Sequence, residues 1–158
     1  METRWLPIFG HQAVLLTTLW ILIGLTGCAI SGRHVAYDAL TPEEHLQLGV
    51  SYEHQGEMDL ALREYERAAA GPSTSAALTC QGNIYSARAD LRQAEAKYRA
   101  ALQANPDNVF ALNNLSWQLA HQEGGLAEAE RLIRHALSLS PEPREPYEDT
   151  LQTILGLK

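Results

Sequence analysis

"LGVSYEHQGEMDLALREYERAA" (residues 48–69) and "QGNIYSARADLRQAEAKYRAAL" (residues 81–102) are one pattern written twice. Gly49 aligns with Gly82, Tyr52 with Tyr85, Ala61 with Ala94, Tyr65 with Tyr98 and Ala68 with Ala101, every pair separated by 33 positions. A third copy, "LSWQLAHQEGGLAEAERLIRHAL" (residues 115–137), follows. There Ala94 is answered by Ala129, Ala101 by Ala136 and Pro106 by Pro141, each 35 positions on. Gly82 meets Ser116 at a spacing of 34, so the additional residue falls in the turn around Glu123, Gly124 and Gly125. Repeat units accept insertions in their turns.

Each copy reads as two helices. Beyond the first thirty residues the chain is rich in Ala, Leu, Glu, Arg and Gln, all good helix formers. Val and Ile are scarce there, so a sheet has little to build with. Small residues recur where helices must touch. Gly49 and Gly82 are expected to admit the partner backbone, Ala61, Ala94 and Ala129 to answer from the second helix, and the tyrosines to fill the space beside them. One such hairpin cannot bury its own apolar face, so neighbours stack, and about three copies are needed for stability. The first helix is well marked at its start: Thr41, Pro42 and Glu44 form a capping box with proline in the first position. "NPDN" (105–108) separates the second copy from the third, and "YEDTLQTILGLK" (147–158) supplies a closing amphipathic helix over about 146–157.

The pattern resembles the tetratricopeptide repeat: Leu-Gly, then Tyr, then Ala, an aromatic and a closing Pro in about 34 residues. The resemblance spans residues 42 to about 141 and is strongest in the first two copies; in the third, Ser116 and Leu119 replace the Gly and Tyr, and Ile133 replaces the second aromatic. It implies an all-α, right-handed α-solenoid of three helix-turn-helix hairpins (about 42–74, 75–108 and 109–142) plus a C-terminal capping helix, together a domain over 42–158. It also implies a concave groove lined by the first helix of each hairpin. Carried over by position, the groove residues are Leu46, Val50 and Glu53, then Thr79, Asn83 and Ser86, then Asn113, Trp117 and His121. Trp117 has a second reading, as a side chain packed under the capping helix. One subfamily clamps a peptide's terminal carboxylate with Lys, Asn and Arg. Of the matching positions here only Asn83 agrees, while Leu46, Val50, Asn113 and Trp117 fill the others, so the groove reads as neutral and partly apolar. That suits an amphipathic helix or an extended peptide.

The N-terminus carries a different signal. "AVLLTTLWILIGL" (13–25) has the length of a signal-peptide core and is short for a bilayer span. "LTGC" (25–28) directly after it resembles a bacterial lipobox. That resemblance implies removal of residues 1–27, acylation of Cys28 and a flexible tether over 28–41, which reaches about 40 Å at most. Several acyl chains anchor stably where one is marginal. The alternatives are an uncleaved signal anchor, since no charge stands between Arg4 and Arg33, and a cytosolic start. With Cys28 lipidated, Cys80 has no intramolecular partner and reads as a small buried residue, or as one half of an intermolecular disulfide.

The formal charge of −7 argues against nucleic acid, which calls for a basic stripe. No HExxH, CxxC, GxxxxGK or GxSxG occurs, so no catalytic residue, metal or cofactor is expected. His45, His54, His121 and His135 read as solvated or groove residues, and Arg99 as a surface charge on the outer helix of the middle repeat. The expectation is a protein-binding scaffold, lipid-anchored in the bacterial envelope, most naturally at the outer membrane with its repeats in the periplasm. A pilotin-like lipoprotein serving a secretin or pilus machine is the runner-up, and a small envelope enzyme or its regulatory subunit is the alternative from another class.

Overall fold

The computed structural model describes residues 39–139 and 142–157. Residues 1–38, where the signal segment, the lipidated Cys28 and most of the tether were expected, lie outside the described residues, as does Pro141. Among the described residues seven helices follow one another: α1 Pro42–His54, α2 Met58–Ala68, α3 Thr74–Ala87, α4 Leu91–Ala104, α5 Val109–Ala120, α6 Leu126–Ser138 and α7 Glu145–Gly156. No strand occurs among the described residues. The helices pack as hairpins, α1 on α2, α3 on α4 and α5 on α6, and the second helix of each hairpin packs on the first helix of the next. α7 closes the stack against α6 and α5. The chain is an α-solenoid.

Local chemistry explains the boundaries. α1 begins with the expected capping box: the Glu44 amide donates to Thr41 Oγ1 at 3.2 Å, and the Thr41 amide donates to Glu44 Oε2 at 2.7 Å. Asp90 and Asn108 cap α4 and α5 by accepting from the Gln93 and Ala111 amides. The first two hairpins turn through Gln55–Glu57 and Arg88–Asp90, and each turn needs one residue in the left-handed region. Gly56 supplies it at φ 78°, and Ala89 stands at the equivalent place with φ 60°. The third turn is longer, His121–Gly125, with Gly124 at φ 75°.

The tyrosines do more than fill space. A Cβ placed on Gly49 would meet Tyr65 Cδ1 at 2.6 Å, and one on Gly82 would meet Tyr98 Cδ1 at 2.6 Å. The two glycines therefore admit an aromatic ring, not the partner backbone that the spacing suggested. A ring from the second helix of the same hairpin reaches across and occupies the space a Cβ would need. The third hairpin solves the same contact differently: Ser116 and Ile133 hold the equivalent places and both are fully buried. A slimmer aliphatic side chain leaves room for the serine's Cβ.

Apolar burial divides into two clusters. The first gathers Ala61, Tyr65, Ala68, Ala77 and Ile84, with Leu46, Val50 and Tyr52 packed beside them. The second joins Ala94 and Tyr98 to Leu112, Leu115, Leu119, Ala129, Leu132, Ile133 and Ala136, with Tyr85 alongside. Tyr147 and Ile154 of α7 complete it, so the closing helix covers apolar surface that the third hairpin cannot bury alone.

Polar pairs stitch the repeats together. Ser73 Oγ donates to Glu43 Oε2 at 2.5 Å, pinning the start of the second repeat to the first turn of α1. His45, expected at the surface, is buried at 3% exposure, and its Nδ1 lies 2.6 Å from Glu64 Oε2. Arg67 also donates to Glu64, at 2.7 Å. Arg99 is likewise no idle surface charge. Its two terminal nitrogens grip both oxygens of Glu128 on α6, at 2.8 and 3.1 Å, while Nε donates to Glu95 at 2.8 Å. Those bonds raise the guanidinium above its ordinary pKa and hold the Glu128 carboxyl below the usual range.

Candidate functional site

Two adjoining cavities open on the face formed by α1, α3 and α5. The first, about 430 Å³, is lined by Val50, Glu53, His54, Met58, Tyr65, Cys80 and Asn83. The second, about 370 Å³, is lined by Asn83, Ser86, Ala87, Tyr98, Asn113, Asn114 and Trp117. Asn83 belongs to both, so the two form one groove along the inner face.

Val50, Glu53, Asn83, Ser86, Asn113 and Trp117, carried over by position, all line this groove. Three others stand apart. Leu46 is half-buried and packs on the first apolar cluster. Thr79 is only 4% exposed: its hydroxyl donates to Ser75 O at 2.8 Å and accepts from Asn108 Nδ2 at 3.0 Å. It is a strut between the second and third repeats and offers a partner nothing, because the cap of the next helix has taken its oxygen. His121 is exposed, Nδ1 donates to Trp117 O at 2.8 Å, and its ring sits 4.6 Å from the Trp117 ring at 41°. Trp117 itself stays 52% exposed and lines the second cavity.

Polar contacts fix the floor of the groove. Tyr65 OH donates to Glu53 Oε2 at 2.6 Å. Tyr98 OH and Asn114 Nδ2 both donate to Asn83 Oδ1, at 2.9 and 2.7 Å, and Asn113 Nδ2 donates to Asn114 Oδ1 at 3.3 Å. Three amides and a phenol thus form one chain across the second and third repeats. Asn113 Oδ1 is left buried without a hydrogen bond. Burial pushes the Tyr65 and Tyr98 hydroxyls and the Cys80 thiol up from their ordinary values, so all three stay neutral at physiological pH. Cys80 is half-buried and free, and faces the first cavity beside Tyr65.

Sequence reasoning missed the second role of the packing tyrosines. Their rings cover glycines while their hydroxyls end in the groove. The signal was available in the residue type, since a purely apolar filler needs no hydroxyl and a buried phenol needs a partner. A wider depression of about 650 Å³ lies along the loop edge between residues 71–76 and 104–110. Its polar groups are spent internally: Thr74 Oγ1 donates to Ala69 O and Gly71 O, and Asn108 Nδ2 to Ser75 Oγ. That depression is a seam between repeats.

No family model and no curated protein matches the chain. Among solved structures, the first TPR of Spaghetti (RPAP3) bound to the HSP90 peptide SRMEEVD is similar, with a TM-score of 0.64 and 21% identity over 75% of this chain and 94% of that one. The fold is that of a tetratricopeptide repeat domain.

Proposed function

We propose that this chain is an interaction scaffold that holds a peptide segment of a partner protein in the groove of its first helices. The observation that carries the reading is the meeting of the two cavities at Asn83. The two lie side by side on one face, edged at one end by a tryptophan with half its surface in solvent. Exposed tryptophan beside an uncharged, fixed polar floor is what a peptide site offers: an anchor for an apolar side chain at the edge of a preformed trough. The similar RPAP3 repeat domain was solved with a peptide bound, which supports the same use of the fold here.

The scaffold works, in this reading, from a lipid anchor at Cys28, with the repeats in the periplasm at the outer membrane. The lipobox "LTGC" and the apolar core before it support the anchor. Cys28→Ala should stop labelling by radioactive palmitate and leave a precursor that retains residues 1–27. Continued labelling of the substituted protein would refute the anchor without touching the groove.

A photoreactive residue tests the groove. Placed at Ser86 of the full-length protein in living cells, it should capture a defined partner on illumination. The same residue at Arg92, exposed on α4, should not. Equal capture from both positions contradicts the groove.

A further inference from the structure

The groove is chemically lopsided, and the asymmetry points to the kind of segment it takes. Its first cavity holds one acidic side chain, Glu53, and neither cavity is lined by Lys or Arg. Glu53 is half-buried. Oε2 takes the Tyr65 hydroxyl, which orients the carboxylate, while Oε1 makes no hydrogen bond or ion pair among the described residues. Val50 and Met58 lie beside it as apolar wall. A carboxylate at the end of an apolar wall complements a side chain that is apolar along its stem and cationic at its tip. At the other end, two repeats away, Trp117 stands on His121 and presents a broad apolar surface.

We propose that the groove selects an extended segment carrying a Lys or Arg that reaches Glu53 and, further along, an apolar side chain that rests on Trp117. This rests on the peptide-groove reading above and names the partner's chemistry within it. Between the two anchors the groove is lined by Asn83, Asn113 and Asn114, whose amides largely bond one another, so the middle of the segment meets a polar floor without charge. An acidic segment such as the SRMEEVD held by the similar RPAP3 domain would place like charge against Glu53.

The test is a phage-displayed random dodecapeptide library panned against the full-length protein in lipid nanodiscs. Selected sequences are then remade as acetylated, amidated peptides and titrated by fluorescence anisotropy. The winners should share a basic residue at a fixed spacing from an apolar one. Glu53→Gln, which keeps the acceptor for Tyr65, should weaken them about tenfold, because a charge-assisted bond becomes a neutral one. Replacing the peptide's basic residue by norleucine should cost as much and make binding indifferent to Glu53→Gln. The peptide substitution carries the test even where a protein variant folds poorly. Winners without a shared basic residue, or affinities unchanged by both substitutions, overturn the cationic anchor and leave the peptide groove standing. Retention of no peptide at all overturns both.

Discussion

The Tyr98 ring covers Gly82 so closely that a Cβ there would lie 2.6 Å from Cδ1, yet the third hairpin buries Ser116 opposite Ile133 at the same place. Gly82→Ala should therefore destabilise by about 1–2 kcal/mol, the overpacking cost less what alanine returns as a better helix former. In a Tyr98→Ile background the clash is gone, and the same change should become neutral or stabilising. A double-mutant cycle on urea midpoints reads the difference. The same cost in both backgrounds would mean the ring is not what excludes the side chain.

Ala89 holds a left-handed backbone at φ 60° where Gly56 and Gly124 serve the other turns. Left-handed geometry costs an L-residue about 1–2 kcal/mol, and glycine's greater unfolded freedom returns part of that. Ala89→Gly should stabilise the protein by about 0.5–1 kcal/mol and raise the melting temperature by circular dichroism. A lower melting temperature would contradict the turn geometry.

Arg99 and Glu128 tie the second repeat to the third, and Arg99 holds the Glu128 carboxyl below its ordinary pKa. A carboxyl depressed in the folded state lends stability above its unfolded pKa of about 4.3, and that stability is lost as pH falls through the folded value. Both side chains are partly solvated, so the pair is worth about 1 kcal/mol or less. Glu128→Gln should cost about that much at pH 7 and almost nothing near pH 3, so the two melting-versus-pH curves should converge on the acid side. Parallel curves would show that the pair contributes nothing through its charge.

The three hairpins were legible because glycine, alanine and tyrosine recur at a fixed offset, and only stacked helices need small and aromatic residues in that rhythm. What the sequence hid was pairing between distant positions. Thr79 sits where a groove residue belongs, but the amide of Asn108, in the next repeat, claims its hydroxyl. His45 meets Glu64 across its own hairpin, and Arg99 meets Glu128 across a repeat boundary. Polar side chains look solvated in one dimension, and only the stacking brings their partners within reach. The groove itself was half legible. Position on the first helix located Val50, Glu53, Asn83, Ser86, Asn113 and Trp117, while the hydroxyls entering from Tyr65 and Tyr98 on the second helices went unseen.

The central claim, that the face of the first helices is the working surface, is tested most directly at Trp117. Titration of the partner captured from Ser86 against full-length parent and Trp117→Ala protein should show at least about a twenty-fold loss of affinity, the worth of an aromatic anchor. The melting temperature should stay with the parent, because the side chain is 52% exposed and supports no core cluster. Parent-like affinity in a Trp117→Ala protein that melts with the parent would contradict the account.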